Sequence, residues 1–304
     1  MNVSIIGAGA IAEEHIKVFL SLPNCKFVGI HSRTNSKALE LKKKYKINEV
    51  YNSIEQMHDH SKSDLVIVAV SLESLYSVYK KVVSYDWICL LEKPVGLNPI
   101  EAKKIISICK YPEKIFISLN RYSYSTTSKL LRFLKKDKSK RIVYIFDQES
   151  ILHLKNNKIK KNWMYCNSIH LVDYCRFLVR GRLVKIDLIH RENKLNFIKH
   201  LNFSSGDRVI FTSIWNKPGP WSIKIFTDKA FFNLFDLENL FISTKNFRGK
   251  KYSLSNVDRK FKPGFLQQAK ELRNFFLYKT YPNVPNIMDA YKTMLLTRKI
   301  YETN

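Results

Sequence analysis

The chain opens on Val3-Ser4-Ile5-Ile6-Gly7-Ala8-Gly9-Ala10-Ile11-Ala12. The short apolar run Val3 to Ile6 predicts a buried strand, and the chain from Ala12 to about Leu22 predicts a helix. Between them stands G-x-G-x-x-A, with strand before and helix after, the context in which the pattern marks dinucleotide binding. Gly7 permits the tight turn, Gly9 lets the backbone approach a pyrophosphate, and Ala12 lets helix and strand pack closely. The helix then offers free N–H groups and the positive end of its dipole to phosphates. Ala10 and Ile11 join these three as candidate cofactor contacts. A glycine turn in an unrelated α/β unit is the plainer alternative.

A second apolar run, Phe27-Val28-Gly29-Ile30, predicts the next strand, and the chain continues His31-Ser32-Arg33-Thr34. In such folds an Asp or Glu near this point binds the adenosine ribose. No acid is present. Ser32 and Arg33 suit a 2′-phosphate, which a guanidinium pairs with while stacking on adenine. NADP(H) is therefore favoured over NAD(H), against the reading of Arg33 as a solvated turn residue. Strand and helix then alternate: a helix over 36–46, a short strand over 50–53, a short helix over 54–59, and a buried strand over 64–70. Ser71 at the end of that strand faces the expected cofactor crevice. A helix over 74–83 and a strand over 87–91 lead directly into Glu92-Lys93-Pro94. A lysine at the C-terminal tip of a parallel strand stands where open α/β sheets bind ligands. A helix over 99–109 and a strand over 115–119 complete a doubly wound parallel sheet.

Bulk properties narrow the class. The 304 residues suffice for two domains, and 45% are hydrophobic, which argues against disorder. No run of about 18 apolar residues predicts a membrane span, and the opening strand leaves no room for a signal peptide. Five cysteines without a C-x-x-C pair fit reduced thiols in the cytoplasm and speak against a zinc site. The net charge of +26 would suit a nucleic-acid binder. Its lysines, however, are spread along the chain, and no basic helix is interleaved with aromatics. A lysine-rich solvated surface, or steering of anionic substrates, accounts for it without nucleic acid.

Beyond the first half, 126–134 predicts a helix, 141–147 a strand, and 152–162 a polar loop. Strand-like runs recur over 183–189, 195–203, 208–215, 221–227 and 230–234, with turns at Gly206-Asp207, Pro218-Gly219-Pro220 and Thr227-Asp228. These predict an open, mostly antiparallel sheet. Helices over 264–277 and 287–301 are expected to pack across the domain junction. The expected division is a dinucleotide-binding domain over 1–119 and an α/β domain over 120–304.

Gly7-Ala8-Gly9-Ala10-Ile11-Ala12, Glu92-Lys93-Pro94 and Asn120-Arg121-Tyr122 occur in the order and spacing of the glucose–fructose oxidoreductase / inositol dehydrogenase (Gfo/Idh/MocA) family, which the chain resembles. His15 also fits the family pattern. The resemblance implies that Lys93 lies beside the nicotinamide and the substrate hydroxyl, and that the bond before Pro94 is often cis. It implies that His170, in Ile169-His170-Leu171-Val172-Asp173, is the acid/base on that hydroxyl. The family helix usually reads D-x-x-x-H-x-x-D, whereas this chain has Cys166 in place of the leading Asp. Tyr76 likewise stands where members often carry a His. His170 is therefore expected to work alone, or with help from Lys93 or Tyr165. Asp173 reads as a helix or interface contact. Arg121, Tyr122, Tyr165 and Asn167 are candidate substrate ligands.

The resemblance further implies sugars, cyclitols or nucleotide-linked sugars as substrates, no metal, and a homodimer or homotetramer formed through one face of the second sheet. The expected activity is hydride transfer between a nicotinamide and a carbon bearing a hydroxyl or ketone. The alternative is a cofactor-binding but catalytically impaired relative acting as sensor or scaffold.

Overall fold

The computed structural model describes residues 1–302, which form two compact units. The first comprises Met1–Ser123 and Val257–Lys292. Its elements are β1 (Asn2–Ile6), α1 (Ala10–Leu20), β2 (Lys26–His31), α2 (Asn35–Tyr45), β3 (Glu49–Val50), α3 (Ile54–His60), β4 (Leu65–Val68), α4 (Leu72–Val82), β5 (Ile88–Leu91), α5 (Pro99–Ser107) and β6 (Ile115–Ile117). The six strands form one sheet in the order β3-β2-β1-β4-β5-β6, every pair parallel. The strand order reverses between β1 and β4, which is where such sheets bind ligands.

The central strands are continuous apolar runs because helices cover both faces. In α1, Ala12, His15, Ile16 and Phe19 are buried at helical spacing. The α5 helix begins with Asn98, whose side chain accepts from Ile100 and Glu101 N–H, and Pro99 occupies the first turn, where a missing N–H costs nothing.

In the second unit, Tyr124–Asn256 and the chain from Thr293 on, the elements are α6 (Ser125–Lys136), β7 (Ile142–Glu149), α7 (Asn157–Lys161), α8 (Ile169–Phe177), β8 (Leu183–Arg191), β9 (Asn196–Phe203), β10 (Arg208–Trp215), β11 (Ser222–Phe226), β12 (Ala230–Phe235), β13 (Asn239–Thr244) and β14 (Phe247–Ser253). The sheet order is β14-β13-β12-β11-β7-β10-β9-β8, with only β7 and β10 parallel. Along β7, β9 and β10 burial alternates strictly, so one face is core. Three charged residues interrupt that face: Asp147, Glu149 and Lys199, each buried.

The chain then forms α9 (Asn256–Lys260), α10 (Phe265–Tyr278) and α11 (Ile287–Tyr301). Residues 257–292 belong to the first unit, which is therefore discontinuous. The reason is the buried stripe of α10: Phe265, Leu266, Ala269 and Leu272 share one core with Val3, Ile5, Ile16 and Phe19. The Ile117 N–H also donates to Pro285, and Phe116 bridges Asn286, which covers the β6 edge. The helix α11 begins in the first unit and ends in the second.

Two local expectations change. The polar stretch 152–162 contains α7, which Asn156 caps by accepting from Lys158 and Ile159 N–H. Strands β13 and β14 also extend the second sheet beyond the runs read from sequence.

Candidate functional site

In the first unit, the Gly7 N–H donates to the His31 carbonyl at 2.8 Å, which binds the glycine turn to the end of β2. Gly7 has φ +115°, and a Cβ there would stand 2.1 Å from the Ala69 carbonyl oxygen. Gly9 is different: a Cβ built on it meets nothing within 4 Å. Its lack of a side chain therefore leaves room above the turn for something other than protein. The first α1 hydrogen bond runs from Glu13 N–H to Gly9, so the N–H groups of Ala10, Ile11 and Ala12 have no intrahelical acceptor.

A cavity of about 400 Å³ is lined by Gly7, Ala8, Gly9, Ser32, Arg33 and Ser71, among others. The glycine turn, the end of β2 and the end of β4 thus converge on one space. Arg33 is exposed, and its guanidinium reaches the Ser74 hydroxyl at 3.4 Å, a long bond that leaves its donors available to an anion. Glycine turn, open helix terminus and guanidinium fit the diphosphate and adenosine parts of a dinucleotide.

At the tip of β5, the Glu92 N–H continues the sheet to Val68 at 2.9 Å, and the Tyr79 hydroxyl donates to the Glu92 carbonyl. The peptide bond Lys93–Pro94 is cis. The Glu92 carboxylate meets His15 Nε2 at 2.9 Å, and the His15 ring stacks on Phe265 with centroids 4.3 Å apart. Burial pushes the Glu92 carboxyl up, but the bond to His15 and the charges of His15 and Lys93 outweigh it, so its pKa lies below the ordinary value. Arg121 donates to the Asn120 side chain at 2.7 Å, and Asn120 donates to the Pro263 carbonyl at 3.0 Å. Arg121 and Tyr122 both lie in the half-buried 3₁₀ turn Asn120–Ser123.

Lys262 belongs to this group although no sequence pattern marks it. It is half-buried between the fields of Glu92 and Arg121, with its pKa lowered by burial and by Arg121 against the pull of Glu92. Nothing in a lysine-rich sequence distinguishes it, because what selects it is the return of 257–292 to the first unit.

In the second unit His170 is buried in α8, with its ring 6.4 Å from that of Trp221. The turn before it, Met164–Ser168, is a π-helix that contains the buried Cys166. Such turns recur at functional sites. Tyr165 is fully buried, and its hydroxyl donates to Glu302. Asn167 donates to the Glu149 carboxylate at 2.8 Å, as does Trp163 from its indole N–H. Both expected substrate ligands on this turn therefore engage polar groups within the unit. Asp173 accepts from Thr293 at 2.8 Å, in keeping with a helix contact. Asp147 accepts from Trp215 at 3.1 Å and from Tyr301. Burial drives its pKa up to about 6, although bonds from Tyr301, Ser168, Trp215 and Trp221 oppose the rise. Among the described residues no cluster of His, Cys, Asp and Glu is arranged to hold a metal, and no helix is long and apolar enough to cross a membrane.

A six-stranded parallel sheet with a glycine turn opening onto a helix terminus defines the first unit as a dinucleotide-binding Rossmann domain, accompanied by a mostly antiparallel α/β unit. Residues 1–119 match the profile of the oxidoreductase family with an NAD-binding Rossmann fold, and this domain belongs to that Gfo/Idh/MocA family. An uncharacterized Saccharomyces cerevisiae protein, YMR315W, is 26% identical over 114 residues, a match spanning 36% of this chain and 33% of the yeast protein. The UDP-N-acetylglucosamine 3-dehydrogenase GnnA from Acidithiobacillus ferrooxidans superposes with a TM-score of 0.78 at 13% identity, covering 99% of this chain and 96% of that one. An aldose-aldose oxidoreductase from Caulobacter crescentus superposes at 0.83 with 15% identity, covering 99% and 96%. At these identities the likeness is one of fold.

Proposed function

We propose that the protein transfers hydride between a nicotinamide cofactor, NADP(H) in preference to NAD(H), and a hydroxyl- or ketone-bearing carbon of a sugar, cyclitol or nucleotide-linked sugar. The observation that carries the cofactor assignment is the space above Gly9 in the same cavity as Arg33. Gly7, Gly9 and the N–H groups of Ala10, Ile11 and Ala12 hold the pyrophosphate, Ser32 and Arg33 the 2′-phosphate, and Ser71 borders the crevice. The names of GnnA and the Caulobacter enzyme both point to sugar substrates.

The bound cofactor supplies or accepts hydride at C4 of its nicotinamide. Lys93 hydrogen-bonds the reacting oxygen and lowers its pKa, with Glu92 and Pro94 fixing its backbone. His170 takes the proton when the hydroxyl is oxidised and returns it when the ketone is reduced. His170 works alone or with help from Lys93 or Tyr165, the Tyr165 hydroxyl also donating to Glu302. Arg121, Tyr122 and Asn167 hold the substrate, Asn167 by exchanging its bond to Glu149.

The protein works as a homodimer or homotetramer in the cytoplasm. The outer face of the second sheet carries an aromatic row of Tyr144, Phe226, Phe231 and Phe241, with Phe226 43% exposed. Such a face favours self-association. Free cysteines accord with a reducing compartment.

Cys166 favours a second reading, a cofactor-binding relative without turnover. A nicotinamide fluorescence titration tests the shared step. NADPH should bind at micromolar concentration, NADH more weakly, and Arg33→Ala should remove the difference. Preference for NADH would overturn the role of Arg33, and binding of neither would overturn the cofactor site.

A further inference from the structure

A cation-lined cavity lies wholly in the second unit, at the far edge of its sheet. It has a volume of about 720 Å³, against about 400 Å³ for the glycine-turn cavity. Arg191 at the end of β8, Lys194 in the following turn, and Lys160 and Lys161 of α7 all line it. One carboxylate, Glu302, stands among them, already accepting from Tyr165. Below the cations the lining is apolar, with Ile151 and Met164 buried.

Four like charges around one cavity repel, and the repulsion reaches into the sheet. Lys199, buried on the core face of β9, has its pKa pushed down to about 8 by burial and then by the charge of Arg191. A bound anion would offset the charge of Arg191, though not the burial of Lys199. The size falls within the range of small-molecule sites.

The cavity reaches the turn before His170 through Met164, but His170 itself does not line it. The sheet order is β11-β7-β10-β9-β8. The His170 ring faces Trp221, immediately before β11. The cavity takes Arg191 from β8 and Leu195 from the approach to β9. Two strands, β7 and β10, lie between, and Tyr301 at the cavity wall is bonded to Asp147 of β7.

We propose that this cavity binds a phosphate-bearing small molecule, its phosphate groups held by Arg191, Lys160, Lys161 and Lys194 and its remainder resting on the apolar floor. The anion comes either from free inorganic phosphate chemistry or from a nucleoside diphosphate. Calorimetric titration of the full chain with sodium pyrophosphate and with UDP, at low ionic strength, distinguishes the two. Equal affinities indicate that charge alone is read, and UDP binding about tenfold more tightly indicates that the floor is used.

The exposed pair Lys161→Glu/Lys194→Glu should weaken both ligands by about tenfold or more and leave NADPH fluorescence binding unchanged. Arg33→Ala should leave pyrophosphate binding intact. Absence of binding to the wild-type chain at millimolar ligand overturns the proposal, as does binding that survives the double charge reversal. Loss on Arg33→Ala instead would place the anion at the glycine turn and also overturn it. None of these failures touches the hydride-transfer reading, which the NADPH titration addresses separately.

Discussion

His15 of α1 and Glu92 at the tip of β5 meet at 2.9 Å, although 77 residues separate them. The contact joins the helix that carries the glycine turn to the strand end that carries Lys93. His15 is 1% exposed and the Glu92 side chain 15%, so water contributes little to either. His15→Ala removes a charge-assisted bond and the stacking on Phe265, and should cost about 2–3 kcal/mol at pH 7. The Glu92 pKa is depressed in the folded state. Its contribution is therefore present above the ordinary carboxyl pKa and is lost as pH falls through the folded value. The gap in urea midpoints between wild type and variant should narrow from neutral to acid pH, leaving the part due to stacking. A constant gap would show that stacking, and not the ion pair, carries the contact.

Gly7 and Gly9 share a motif but not a reason. At Gly7 an added Cβ strikes the Ala69 backbone and φ is positive, so Gly7→Ala should lower stability by several kcal/mol, on the order of 3. At Gly9 φ is −91°, an ordinary value, and the added Cβ meets open space. Gly9→Ala should therefore leave the melting temperature nearly unchanged and weaken NADPH binding by about tenfold or more. Thermal melts and nicotinamide fluorescence on the two variants separate these roles. Unimpaired NADPH binding in Gly9→Ala would mean that no phosphate approaches this turn.

The contrast marks what sequence conveys and what it withholds. Gly7, Gly9 and Lys93 stand at fixed distances from predicted strands and helices, so local periodicity picks them out, whereas His170 is picked out only by the family resemblance. Lys262 joins Glu92 only because α10 packs its Phe265 stripe beside α1. No local pattern encodes such a return of the chain. Strand β14 is hidden for a related reason: Arg248-Gly249-Lys250-Lys251 carries no apolar alternation, and it is pairing with β13 that makes it a strand. The engagement of Tyr165 by Glu302 spans 137 residues and is equally invisible along the chain.

Asp147 and Lys199 place opposite charges on the buried face of the second sheet and should give opposite pH signatures. The Asp147 pKa rises from 3.8 to about 6 on folding. The folded state thus holds the extra proton between those values, and stability falls as pH rises from about 4 to 6. Lys199 falls from 10.5 to about 8, so the unfolded state holds the extra proton, and stability rises as pH climbs from 8 to 10.5. Asp147→Asn should remove the acid-side slope. Lys199→Met should remove the alkaline slope and stabilise the protein at pH 7 by about 1–3 kcal/mol. Denaturation free energies at four or five pH values test both. A Lys199→Met protein less stable than wild type would show that the buried amine is held by stronger bonds than its contact with the Lys299 carbonyl at 3.4 Å.

Cys166 lies one turn before His170, within the π-helical segment, and is 1% exposed. A thiol there cannot stabilise an imidazolium as a carboxylate would. Cys166→Asp puts a charge at a buried position and should cost about 2–3 kcal/mol of stability. If His170 accepts the substrate proton, the same change should raise turnover by about tenfold or more, since a positioned acid/base contributes at least that much. It should also move the acid limb of the kcat/KM profile to higher pH, because the new carboxylate favours protonated His170. The assay follows NADPH formation from NADP+ across a panel of sugars, cyclitols and nucleotide-linked sugars. A stability loss with rising turnover marks a weakened enzyme. A stability loss with turnover undetectable in both proteins, while NADPH still binds, assigns the chain to cofactor binding without this chemistry.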